Sequence, residues 1–213
     1  MTTEDLMTML ATGVDPVDAR ATGRRYAGAL GAGILGAAIL MAVLLGINPD
    51  LARVASAPML WAKFAFVVWL FVGALRATLR LGRPGASVAG ILSTLVAPVL
   101  AMWSLAVVAL VSTDRIHWLE LVLGHTAVAC PIFITLFAAP VFLGGLWAMQ
   151  GLAPTRLRLA GASTGLLAGA AGAWVYAWHC PEFAAPFLGT WYVLGMAIPT
   201  LLGALIGPRV LRW

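Results

Sequence analysis

The sequence predicts an all-α integral membrane bundle of six transmembrane helices, with the N- and C-termini cytoplasmic. Three observations predict it. The 213-residue chain is 62% hydrophobic and only 10% charged, with a mean hydropathy of +0.98, far outside the usage of a soluble domain. Its apolar residues fall in uninterrupted runs of about 20, the length that crosses a hydrocarbon core. Its charges are confined to the N-terminal stretch and to the short breaks between those runs, where water can solvate them.

The six runs lie at roughly 26–47, 58–79, 88–111, 127–149, 159–178 and 187–206. None alternates with period two. Backbone groups in lipid must be satisfied within the segment, so such runs are helices. Lys and Arg then orient the bundle. One side gathers Arg20, Arg24, Arg25, Arg76, Arg80, Arg83, Arg156, Arg158, Arg209 and Arg212, and the other holds only Arg53, Lys63 and Arg115. The excess puts both termini in the cytoplasm. The expected plan is a cytoplasmic segment over 1–25, a membrane domain over 26–206 and a short cytoplasmic tail over 207–213, in a bacterial inner membrane.

The first nineteen residues contain Glu4, Asp5, Asp15 and Asp18 and no base, the opposite of a cleaved signal's basic start. They read as a retained, water-exposed segment. Thr2 and Asp5 have capping-box spacing, and Leu6, Met9, Leu10 and Val14 share one helical face, with Gly13 and Pro16 ending the helix. A helix of about ten residues is marginal alone, so it is expected to order only against a partner protein or the bundle's inner surface. Its acids do not suit an anionic leaflet but do suit a basic cytoplasmic partner.

Within the spans, small residues recur four apart at Gly28, Ala32 and Gly36, and again at Gly161, Gly165, Gly169 and Ala173. That spacing lets helix backbones approach closely. Packing within the chain is the expected use, with a homodimer as the alternative. The middle of every span lacks ionisable groups, which argues against an ion pump or ion-coupled transporter. Lys63, near an outer end, is expected to snorkel. The net charge of +5 follows from topology and calls for no nucleic-acid partner.

The outer breaks are "GINPDLARVASAPML", "STDRIHWLELVLGH" and "HCPEFAAPF". The second is apolar enough to lie along the interface, with His117, Trp118 and Glu120 near the headgroups. Span four is expected to begin near Thr126 as N-cap, with Cys130 and Pro131 in its first turn and Pro140 kinking it further on. Cys180-Pro181 ends span five. Cys130 and Cys180 are the only cysteines, and both fall on the outer side.

Four readings of that pair remain open. A disulfide needs the two Cα atoms within about 7 Å, which topology allows. A metal site could draw on His125, Cys130, His179, Cys180 and Glu182, although their spacing matches no tight zinc pattern. A thiol oxidoreductase would need a C-x-x-C pair, which the chain lacks. The two cysteines could also be small residues filling a helix interface. No enzyme signature is present; a membrane thiol oxidoreductase or metal carrier is the competing class.

The stretches "TTEDLMTMLATGVDPV", "LGHTAVACPIF", "WHCPEFAAPF" and "LLGALIGPRVLRW" together resemble the NrsF family of bacterial membrane anti-sigma factors, negative regulators of sigma F. The resemblance spans nearly the whole chain. Its most specific parts are the H-C-P-E run and the earlier G-H-x-x-x-x-C run. It implies six spans, a cytoplasmic N-terminal segment that holds an extracytoplasmic-function (ECF) sigma factor, and release on an envelope signal of redox or metal type linked to two periplasmic cysteines. Carried over by position, Cys130 and Cys180 are the sensing residues, with His125, Pro131, His179, Pro181 and Glu182 as neighbours. Asp5, Leu6, Leu10, Pro16 and Val17, with Met9 on the same face, are the sigma-contacting candidates. No cofactor is implied beyond a metal at the cysteine and histidine face. Phe183 departs from the polar residue expected after H-C-P-E.

Overall fold

The computed structural model describes residues 2–12, 19–85 and 89–212. Among these there are helices and connections and no strand. The order is α1 (Thr3–Ala11), α2 (Ala19–Leu44), α3 (Pro58–Leu81), α4 (Ile91–Val111), α5 (Trp118–Leu123), α6 (Ala129–Gln150), α7 (Leu157–Ala177), α8 (Ala185–Phe187) and α9 (Val193–Val210). A π-helical turn over Leu188–Tyr192 joins α8 to α9, so the two form one rod.

The start of α1 is the predicted capping box. The Asp5 N–H donates to Thr2 Oγ1 at 3.3 Å, and the Asp5 carboxylate accepts from the Thr2 N–H at 2.9 Å, so two orphan donors of the first turn are satisfied. These bonds from Thr2 hold the Asp5 carboxyl below its ordinary pKa. The helix stops at Thr12, its C-cap, one residue before Gly13.

Among the described residues, five helical stretches are long and apolar enough to cross a membrane: Gly23–Leu44, Pro58–Leu81, Ile91–Val111, Ala129–Gln150 and Ala185–Val210. The predicted fifth span corresponds to α7, which is not among them. Its 21 residues reach about 30 Å at 1.5 Å per residue, so length is not the reason. Glycine and alanine make up much of α7, and such small side chains carry little hydropathy. The helix is instead the buried axis of the bundle, packed on α9, α6 and α3.

That composition lets α7 approach its neighbours backbone to backbone. A side chain at Gly161 would meet the Gly203 carbonyl oxygen and, at 2.9 Å, the Cα of Gly207; at Gly169 it would meet the Cα of Met196 at 2.9 Å. The predicted stripe of Gly161, Gly165 and Gly169 is thus taken up by α9 of the same chain. Gly172, on another side, touches the α6 backbone at Ala138 N, 2.7 Å from where a Cβ would stand.

The stripe read into α2 is different. Gly28 has open space around it, whereas Gly33, outside that stripe, sits 2.8 Å from the Val141 Cα of α6 by the same measure, and Gly36 meets the Pro140 ring at 3.5 Å. Helix α2 therefore packs through the Gly33–Gly36 line.

One end of the bundle collects the ends of α2, α4 and α7 and the starts of α3, α6 and α8. There Asn48 N–H donates to the Trp178 carbonyl at 3.1 Å, the Trp191 indole to the Val122 carbonyl at 2.8 Å and the Trp103 indole to the Gly189 carbonyl at 2.9 Å. At the opposite end Arg25 of α2 donates to the Trp147 carbonyl at 2.7 Å and lies over the Trp147 ring at 4.1 Å, while Gln150 reaches the Val210 carbonyl at 3.2 Å.

Candidate functional site

Both cysteines lie at the first of these ends, fully buried and free. Cys130 is the second residue of α6, as predicted, and Cys180 follows α7 in the irregular connection to α8. Thr126 does not cap α6: the helix begins at Ala129 after Val128, and the Thr126 carbonyl accepts from the Cys130 N–H at 2.9 Å. A turn over 124–128 intervenes because the chain has to step down from α5.

The two cysteine-bearing runs are fastened together. The Glu182 carboxylate accepts from the His125 N–H at 2.7 Å, and Gly124, with φ +53, leaves room for it: a Cβ there would stand 2.7 Å from the Glu182 carboxyl. A side chain at Gly124 would be opposed both by that φ and by the carboxylate. The G-H and H-C-P-E runs are thus halves of one clasp.

Lys63 is the residue that sequence reasoning placed wrongly. It does not snorkel. It is 0% exposed, and its Nζ donates to the carbonyl oxygens of Cys180 at 2.8 Å and Glu182 at 3.2 Å. The rings of Phe183 and Tyr192 lie 5.0 and 5.4 Å from the ammonium, a favourable arrangement for a desolvated cation. The physical reason is that the connection after α7 is irregular, so its carbonyls have no helical donors. They lie within hydrogen-bond reach of the Lys63 Nζ. The departure at Phe183 supplies one of the facing rings.

The Cys130 and Cys180 thiols lie within electrostatic reach of each other and of the Lys63 ammonium. Around them stand Tyr176 and Tyr192, their rings 6.1 Å apart. The Tyr192 hydroxyl is buried beside Cys180. Two thiols facing one cation can take part in two-electron oxidation to a disulfide.

The other predicted neighbours divide. Pro131 is buried in the first turn of α6. His125 is exposed and enters the site only through its backbone. The His179 ring turns away to the Gly46 carbonyl, with Nδ1 at 3.0 Å, and Pro181 is exposed. His125, Cys130, His179 and Cys180 are not gathered as metal ligands: among the described residues no three His, Cys, Asp or Glu side chains converge.

The second candidate region is α1. It buries none of its residues; Leu6, Met9 and Leu10 are 43%, 66% and 68% exposed, and Asp5 is fixed in the capping box beside them. Pro16 and Val17 lie outside the described residues.

The family model described as "Negative regulator of sigma F" matches residues 10–213. The chain belongs to the NrsF family. It is 47% identical over 213 residues to the "Probable anti-sigma-F factor NrsF" of Azospira oryzae (strain ATCC BAA-33 / DSM 13638 / PS), with all of both chains covered. It is 35% identical over 215 residues to the "Anti-sigma-F factor NrsF" of Caulobacter vibrioides (strain NA1000 / CB15N), again over the full length of each. No solved structure matches.

Asp5, Leu6 and Met9 precede the part matched by the NrsF family model but fall within both full-length matches. Tyr176 and Tyr192 went unremarked in the sequence because single residues of this type carry no motif, and Lys63 drew only the snorkelling expectation. A signal for Lys63 was nevertheless present: it stands three residues after Leu60 and four before Val67, on the face of α3 that the bundle buries.

Proposed function

We propose that this NrsF-family chain is a membrane-bound anti-sigma factor. It holds an ECF-type sigma factor at the cytoplasmic face of a bacterial inner membrane and releases it when an envelope signal alters the Cys130 and Cys180 thiols. The observation that carries this reading is the uncovered apolar face of α1, Leu6, Met9 and Leu10, in a chain matched over its full length by relatives named anti-sigma-F factors. A capped helix of nine residues gains most of its stability from whatever covers that face. Glu4 and Asp5 beside it favour a basic groove.

In this reading α2, α3, α4, α6, α7 and the rod from α8 to α9 are the six spans. Residues 1–25 and 207–213 are cytoplasmic, and the thiol end faces outward. A disulfide between Cys130 and Cys180 would move α6 against α7 and the following rod. Helix α6 meets Arg25 of α2 at its far end through the Trp147 carbonyl, and α2 leads back to α1. The displacement therefore has a packed route to the sigma-binding segment.

Copurification of the full chain with a candidate sigma factor tests this. Wild type retains the sigma factor, and Leu6→Asp with Leu10→Asp loses it. Failure of wild type to retain any sigma factor contradicts the function; equal retention by the double variant moves the binding surface to the cytoplasmic loops.

A further inference from the structure

A fully buried lysine either gives up its proton or keeps it beside a counter-charge, because neutral dipoles alone do not repay the desolvation of an ammonium. Lys63 has two carbonyl acceptors and two facing rings. No carboxylate of a described residue lies within ion-pairing distance of it. The Glu182 carboxylate is instead turned to the His125 N–H. The groups that face Lys63 and can lose a proton are Cys130 from α6, Cys180 and Glu182 from the connection and Tyr192 from the π-helical turn; Tyr176 of α7 lies against the thiols. The Glu182 carboxylate keeps its charge and acts on Lys63 from beyond ion-pairing distance; of the groups nearer to hand, the thiols ionise most readily. The Tyr192 hydroxyl, buried beside Cys180, can donate to a sulfur anion there.

We propose that Lys63 is the activating residue of the thiol pair: its ammonium is the counter-charge for a thiolate formed at Cys180 or Cys130, and it sets how fast an oxidant converts the pair to a disulfide. The inference deepens the thiol-sensing reading above and rests on it. With a hydroperoxide as oxidant, the thiolate sulfur attacks the peroxide oxygen. An S–O bond forms, the O–O bond breaks, and the departing hydroxide takes up the proton lost by the thiol. The second thiol then attacks that sulfur. The S–S bond forms, the S–O bond breaks, and hydroxide leaves with the second proton as water. Two thiols lose two electrons, and one hydrogen peroxide becomes two waters. Lys63 touches no reacting oxygen in this sequence; it positions and stabilises the anion that attacks. Its bonds to the Cys180 and Glu182 carbonyls keep it in place when the sulfur charge appears.

The test reads thiol chemistry alone, without a sigma factor. Full-length protein in membrane vesicles is pulsed with hydrogen peroxide across a range of pH, then denatured and labelled with a maleimide to count surviving thiols. Lys63→Met is expected to slow oxidation by about tenfold or more and move its pH profile upward. Lys63→Arg, which keeps the charge, is expected to recover most of the wild-type rate. Equal rates and profiles for wild type and Lys63→Met overturn the proposal, as does slowing by Met and Arg alike. Should Lys63→Met fail to accumulate, the wild-type profile decides. A midpoint below that of a free thiol, ~8.5, supports the anion, and one at or above it overturns it. Unaltered sigma release by Cys130→Ser and Cys180→Ser would instead remove the thiol-sensing reading, an outcome separate from any of these rates.

Discussion

The Glu182 carboxylate accepts a hydrogen bond from the His125 backbone N–H at 2.7 Å, joining the connection that carries Cys180 to the turn that precedes Cys130. The bond crosses between two segments 57 residues apart. It makes the two Cys-Pro runs one unit before any covalent link forms. Glu182→Ala is expected to lower stability by about 1 kcal/mol, the usual net worth of one hydrogen bond, and to speed maleimide labelling of both thiols. Thermal unfolding in detergent and labelling rates check the two halves of this expectation.

Gly124→Ala attacks the same clasp from the other side. Its Cβ would stand 2.7 Å from the Glu182 carboxyl on a backbone with φ +53. With ψ −159 this is a backbone region kept almost wholly to glycine, and it costs an alanine about 1–3 kcal/mol. The variant should therefore be at least as destabilised as Glu182→Ala, and the double variant less than the sum, because both act on one contact.

The α7–α9 seam predicts a contrast between two glycines. At Gly165 a Cβ would meet the Pro199 carbonyl and, at 2.8 Å, the Cα of Thr200, and backbone atoms cannot step aside cheaply. Gly165→Ala should cost about 1–3 kcal/mol by overpacking. Gly28→Ala, in open space on α2, should be neutral or stabilising by up to about 1 kcal/mol. Melting temperatures of the two variants side by side provide the measurement.

Helix α1 carries a pH signature. Hydrogen bonds from Thr2 depress the Asp5 pKa below its ordinary value of 3.8. A depressed carboxyl contributes stability that is fully present above that ordinary value and is lost as pH falls through the folded-state pKa. The carbon chemical shifts of residues 3–11 should thus stay helical on acidification to about pH 4 and drift toward coil below it. Asp5→Asn should weaken the helix already at neutral pH.

Much of this was legible in the sequence because it rests on local rules. Run length and charge placement gave the helices, Thr2 and Asp5 gave the α1 cap, and the spacing of Gly161, Gly165 and Gly169 gave a close helix contact. What spacing does not encode is which neighbour receives a stripe, so Gly28 was read as a contact and Gly33 was not. Thr126 looked like a cap because Thr is a good one, but the turn into α6 needed its backbone instead. Lys63 misled for a related reason. Proximity to a span end suggests snorkelling, whereas its fate depends on carbonyls supplied by a connection more than a hundred residues later. The surroundings of the cysteines are tertiary in the same sense.

The central claim is that the thiol pair at one end of the bundle governs what α1 holds at the other. It is tested most directly by capturing a complex of the full chain with its sigma factor in membrane vesicles, adding hydrogen peroxide, and measuring the sigma factor set free. Release from wild type, with retention by Cys130→Ser, Cys180→Ser and Arg25→Ala, is the result this account expects. Release that is the same in wild type and in the cysteine variants would contradict it.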